Sequence, residues 1–490
     1  MKKILFLLAI AGSAASCNKF DDTNVSPVLL TSAATSSLLT NALQANADLV
    51  LGNVAASRLA SLYVQHLAEG PYPGPSLYND RNLSFNSWYA GSGSVTAPSN
   101  TNGPLYNLQS IINYNEAGSA SAVGNGSKDN QLAVARILKA YYFLLLTDKW
   151  GDIPYFDALK GNGNFSPAYD KQQDIYTDLF KELTEAVAQI KEGESAVKGD
   201  ILLDGDMAAW KRFANTQRLI MGLRLSKADP AKGKAEYAAA LAAGVISSNS
   251  QNILYKFSAG DPNNYNPWYN NYTVSIRNDY AISTTMTDYM KPKADPRLPV
   301  YGEVLAGDVV TGLTYGRGQA LNIPSAYSRI GSYFRGQGSP MAIFTYAQIL
   351  FCQAEAAKLG YTAGGDAEAE AMYKAAIKAS FEQYGVFTQS VYDAYIANAD
   401  VAYDATNGHK KIMTEKWVHS YLNSWETWND WRRTGFPALT PAVDAVDSRG
   451  IPLRIGYPTT EASLNGENYK VAVANIGGTD DNYGKMWWLK

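Results

Sequence analysis

The sequence predicts an all-α fold: a scaffold of paired helices that carries long, loop-rich insertions. Two observations lead to this. Apolar residues recur at i, i+3 and i+4 spacing through residues 31–69, 130–245 and 341–433. Between these stretches, residues 70–128 and 246–340 are rich in Gly, Pro, Asn and Ser, with aromatics scattered among polar side chains. Small residues recur where helices would meet, at Ala354, Ala356, Ala357, Ala375, Ala376 and Ala379. Short paired helices with small contact residues suggest a tetratricopeptide-like stack, although the full repeat consensus is absent. The two insertions do not suit a regular solenoid; loops on a helical scaffold are the usual place for a ligand-binding face.

The N-terminus stands apart from this fold. Lys2 and Lys3 precede an uncharged apolar run, then Ala14, Ala15 and Ser16, then Cys17. That order predicts a signal peptide over residues 1–16, cut before a cysteine that takes acyl chains. The apolar run is too short to span a bilayer, so the expectation is a lipid anchor at Cys17. Residues 17–30, with Asp21 and Asp22, form a short charged tether, and residues 31–490 form the ligand-binding domain.

Each helical stretch has its own signals. Residues 31–69 read as helix on Leu38, Leu39, Ala42, Leu43, Leu59, Leu62 and Tyr63, ended by Pro71, Pro73 and Pro75. One helix is expected near Leu105–Asn115. Residues 130–150 give the strongest pattern, apolar on most sides, stopped by Gly151 and Pro154. Further helices are predicted near 172–192, 207–228, 232–244, 341–359, 366–384 and 409–433, before an irregular tail over 436–490. Trp417, Trp425, Trp428 and Trp431 fall mostly on one side of the last of these and read as core.

Composition excludes several function classes. A formal charge of −3, with no basic block, argues against a nucleic-acid partner. Cys17 and Cys352 are the only cysteines. With Cys17 acylated no internal disulfide forms, and Cys352, in an apolar helix, reads as a buried free thiol. His66, His409 and His419 lack zinc-ligand spacing. No G-x-S-x-G, H-E-x-x-H or phosphate-binding glycine loop is present. A carboxylate pair such as Glu415 with Glu426 keeps a glycosidase open. No cofactor is indicated, and a structural calcium ion stays open.

The chemistry that is present is aromatic. Tyrosine outnumbers phenylalanine 33 to 15, and tyrosine and tryptophan join a flat apolar face to a polar tip. Sugars match that pairing, with C–H faces that stack and hydroxyls that need amides or charged groups. Two loop segments carry the mixture. The first holds Tyr72, Tyr78, Asp80, Arg81, Asn82, Asn86, Trp88 and Tyr89; the second holds Asn266, Trp268, Tyr269, Asn270, Tyr272 and Arg277. The sequence expectation is that Trp88 and Trp268 are exposed stacking platforms.

Taken together, these features resemble the SusD/RagB-type outer-membrane lipoproteins of Bacteroidota. Cys17 with Asp21-Asp22 is similar to the family's lipoprotein start, and the helix running from Arg136 into Trp150-Gly151-Asp152-Ile153-Pro154 to its aromatic-Gly-Asp-x-Pro turn. Asp295-Pro296-Arg297, Ala354-Glu355-Ala356 and Trp428-Asn429-Asp430-Trp431-Arg432-Arg433-Thr434-Gly435 resemble its later motifs, and Tyr457-Pro458, Asn468-Tyr469, Gly477-Gly478 and Trp487-Trp488 its ending. The resemblance covers essentially the whole chain. It implies a tetratricopeptide-like scaffold that captures oligosaccharide, without catalysis, for a SusC-like TonB-dependent transporter at the outer membrane. Peptide capture by the same architecture is the alternative.

Overall fold

The computed structural model describes residues 33–51, 55–79, 83–89 and 103–490. Cys17, the acidic tether and Asp80–Asn82 lie outside the described residues. The first helical stretch is two helices and a strand: α1 (Thr35–Leu49), α2 (Ala55–Tyr63) and β1 (Leu67–Glu69). Helices α3 (Pro104–Glu116), α4 (Lys128–Trp150), α5 (Gln172–Gln189), α6 (Met207–Arg224) and α7 (Pro230–Ala243) follow. Strands β2 (Ile253–Tyr255) and β3 (Tyr280–Ile282) belong to the second insertion, and β4 (Met341–Phe344) takes the first residues of the stretch expected as helix over 341–359. The later scaffold holds α8 (Tyr346–Lys358), α9 (Gly365–Gln383), α10 (Gln389–Ala397), α11 (Gly408–His419) and α12 (Ser424–Thr434). A last helix, α13 (Gly466–Asn475), breaks up the tail expected to be irregular.

Local chemistry sets these boundaries. Ser127 caps α4 by accepting from Asn130 N, and Asp206 caps α6 by accepting from Ala209 N. Asp229 caps α7, whose first residue is Pro230. Gly151, at φ 89°, ends α4, and Gly435, at φ 77°, ends α12 with its amide on Trp431 O.

Helices pack as consecutive antiparallel neighbours, α4 on α5, α6 on α7 and α8 on α9. Gly222 and Gly233 let α6 and α7 approach: a Cβ on Gly222 would sit 2.8 Å from Gly233 O. Ala354, Ala356, Ala357, Ala376 and Ala379 are buried where small residues were expected.

Buried ion pairs tie distant segments together. Arg224 of α6 bonds Asp148 of α4 and both oxygens of Glu426 in α12. Arg433 of α12 donates to Glu355 of α8 at 2.6 and 2.8 Å. Arg297 is fully buried against Asp295 and Glu415. The strands form two antiparallel pairs, β1 with β3 and β2 with β4. In the first, Leu67 faces Ile282, Ala68 faces Ala281 and Glu69 faces Tyr280.

Candidate ligand-binding face

The β1–β3 ladder decides where the two aromatic segments meet. Just past Glu69, the amide of Gly70 donates to Asp279 O at 3.0 Å. The chain then carries Tyr72 out beside Arg277. The guanidinium carbon of Arg277 lies 5.1 Å from the centroid of the Tyr72 ring, within cation–π range. Tyr72 is 59% exposed. Arg277 is steadied by Asp279, whose carboxylate accepts from its Nε at 2.8 Å and from Asn271 Nδ2 at 3.3 Å.

A third loop, which sequence reasoning missed, completes the face. Leu321 N donates to Gly70 O at 3.3 Å, and Asn278 Nδ2 donates to Ile323 O at 2.9 Å. Gly70 is wedged here: a Cβ on it would stand 2.4 Å from Ile323 Cγ1 and 2.7 Å from Leu321 O. Val274, Ile276 and Leu321 are exposed on these loops. Ile276 is also held at φ 50°, an uncommon conformation for a β-branched residue. No motif marks residues 316–323; the only signal is their position in a glycine-rich insertion.

Two expected platforms are instead core. Trp88 is 1% exposed and Trp268 2%. Trp88 meets Tyr142 edge to face at 5.8 Å, and Trp268 meets Tyr280 at 5.6 Å. The ammonium of Lys149 sits between Trp88 and Trp425, 4.3 and 4.1 Å from their rings. Burial pushes that ammonium well below its ordinary pKa, with Asp148 opposing. Tyr78 is also buried, its hydroxyl accepting from Ala442 N at 2.8 Å. Asn266 is an internal brace: it accepts from Trp268 N and Tyr269 N and donates to Ser339 O. The physical reason is common to all four: a ring or amide in a polar loop still buries when the loop folds back on the scaffold.

The remaining positions are divided. Tyr272 is half-buried, donating from its hydroxyl to Tyr280 O at 2.7 Å. Tyr269 meets Tyr265 edge-on at 5.5 Å, and Asn270 opens the wide helical turn Asn270–Val274. Asn86 and Tyr89 line a separate cavity of about 350 Å³, to which no residue of the second segment contributes.

Other reactive groups are occupied. Glu415 is buried and accepts from Arg297, Tyr289 and Tyr395, while Glu426 is paired with Arg224. Burial holds His66 and His419 at about 3. His409 bonds Glu355 at 3.0 Å. Burial pushes the Cys352 thiol up to about 12. Among the described residues no His, Cys, Asp or Glu cluster could hold a metal, and no helix is long and apolar enough to cross a membrane.

With that geometry in place, comparison with known proteins is specific. Residues 27–458 match the SusD-like family described as starch-binding and associating with the outer membrane. No curated protein matches. A solved chitin-binding protein is 28% identical, with a TM-score of 0.73, covering 93% of this chain and 100% of its own. A chitin-binding SusD homologue from Flavobacterium johnsoniae is 25% identical at a TM-score of 0.75, covering 93% and 98%. A SusD homologue from Bacteroides fragilis, 23% identical over 93% of this chain and 100% of its own, shares the fold at a TM-score of 0.76.

Proposed function

Because this chain belongs to the SusD-like family, described as starch-binding and associating with the outer membrane, we propose that it captures oligosaccharide and delivers it to a SusC-like TonB-dependent transporter. In this reading acyl chains on Cys17 hold it at the extracellular face of the outer membrane. The observation that carries the reading is the meeting of Tyr72 and Arg277, which joins two distant aromatic segments on one exposed face. A sugar ring stacks its C–H face on Tyr72 while Arg277 donates to its hydroxyls. The chitin-binding relatives make oligomers of N-acetylglucosamine the first ligands to test. Binding without hydrolysis is supported by Glu415 and Glu426, each committed to a buried arginine and so ill placed to serve as a glycosidase pair. The exposed Val274, Ile276 and Leu321 would also suit a peptide, the second reading.

Calorimetry on the full-length protein in detergent tests it, against chitin oligosaccharides, starch oligosaccharides and mixed peptides. Tyr72→Ala is expected to weaken oligosaccharide binding by about tenfold or more with an unchanged melting temperature, since its ring is exposed. Unchanged affinity in both Tyr72→Ala and Arg277→Ala would place the ligand elsewhere, and binding of peptides alone would favour the second reading.

A further inference from the structure

The cavity beside Asn86 shares no residue with the Tyr72–Arg277 face, and its lining is of three kinds. Tyr89, Tyr106 and Phe165 supply rings, and Phe165 is 79% exposed. Pro154, Ala158, Leu159 and Leu464 supply an aliphatic wall. Asn86, Lys160 and Glu461 supply polar groups.

The frame around it is fixed. Tyr89 donates from its hydroxyl to Pro154 O at 2.6 Å, and Glu461 accepts from Tyr169 at 2.6 Å. Asn465 holds the facing loop through Pro167 O at 2.8 Å, and Lys160 is paired with Asp157. The walls therefore come from four parts of the chain: the turn at 85–89, Tyr106 of α3, the loop at 154–167 and the tail at 461–465, with the loop braced to both the turn and the tail. A volume of about 350 Å³ is at the lower end of small-molecule sites.

We infer that this cavity is a second saccharide site, selective for an N-acetylated amino sugar, a proposal that rests on the glycan-binding reading above. The rings take the C–H face of a pyranose. The aliphatic wall takes the acetyl methyl, and the polar groups take the acetamide N–H, its carbonyl and the ring hydroxyls. A plain glucan has hydroxyls for the polar groups but no methyl for the wall, so it would leave that apolar surface facing water or strand a hydroxyl against it. With Lys160 paired to Asp157, the carboxylate of Glu461 is the charge left at the site, so the lining favours a neutral ligand over an acidic one.

The test compares two β-linked disaccharides that differ in their acetamido groups, N,N′-diacetylchitobiose and cellobiose, titrated into the full-length protein in detergent. Two sites are expected for diacetylchitobiose. Tyr106→Ala or Phe165→Ala should weaken one of them by about tenfold or more, Tyr72→Ala should weaken the other, and cellobiose should leave the cavity empty. Melting temperatures of the two cavity variants should match the parent. A single site that is lost in Tyr72→Ala and untouched in Tyr106→Ala would overturn the inference and leave the ligand face standing, as would binding of longer oligosaccharides at Tyr72 alone. Equal occupancy of the cavity by cellobiose would overturn the acetamido selectivity. Failure of the parent protein to bind any oligosaccharide would overturn both.

Discussion

Trp88 and Trp268 carry the largest side chains of their segments, and both are sealed inside. Truncating either should open a cavity, and Trp88→Ala would also remove one of the two indoles that hold Lys149. Trp88→Ala, Trp268→Ala and Trp428→Ala are each expected to lose about 3–5 kcal/mol of stability, read as a lower urea midpoint with ligand binding retained in whatever fraction stays folded. A second expectation comes from His66 and His419. His66 bonds Trp417 O and packs on Trp417 and Tyr421; His419 bonds Thr345 and Ser380 and feels Arg297 and Lys416. Both are held near 3, below the unfolded value of 6.5, so between those limits the unfolded chain binds more protons. Stability is therefore full above about pH 6.5 and falls as the pH drops, by about 2 kcal/mol per histidine at pH 5. Urea melts at pH 7 and pH 5 check this, and His419→Gln should show the smaller drop. Tyr72 and Tyr78 show why the sequence could not sort exposed rings from buried ones. They share one segment, yet one faces water and the other receives a backbone amide from Ala442.

Helices were legible because their period is written into the apolar residues, as in α4, whose predicted start and observed start differ by two residues. Their interruptions were not. The stretch 31–69 reads as one pattern, but it breaks after α1, and past α2 the chain turns at Gln65, in the left-handed region, into β1. A three-residue strand has too few positions to show a period of two, and its partner lies far along the chain. The same holds for α11 and α12, predicted as one helix and separated by the turn at Leu422. Yet β1 matters most to the proposed ligand face, because its ladder with β3 brings the segments of Tyr72 and Arg277 together. Gly70→Ala should disturb that ladder, since its methyl would meet Leu321 O and Ile323. The expected cost is about 1–3 kcal/mol, with weakened glycan binding and an unchanged far-ultraviolet spectrum. A variant that binds as well as the parent would show that the third loop can retreat freely.

Across the whole molecule, the motifs that carried the family resemblance are architectural. Asp295 and Arg297 form a buried pair that also holds Glu415, and Glu355 and Arg433 bind α8 to α12. Such residues identify the scaffold, which is why the fold could be read from them and the ligand face could not. The proposed acyl anchor is likewise tested on the whole molecule. Cys17→Ala is expected to move the protein from the membrane fraction to the soluble one and to abolish palmitate labelling. Continued labelling would rule out Cys17 as the acylated residue.

The β1–β3 ladder also sets an order of assembly. Glu69 and Tyr280 are more than two hundred residues apart in the chain, and closing so long a loop precedes any gain from the contacts it makes. A chain emerging from its N-terminus has made Tyr72 long before it has made the strand that positions it. If the Tyr72–Arg277 face is where ligand binds, a nascent or truncated chain ending short of Ile282 lacks it, and binding there would double as a sign that the molecule is complete through that strand.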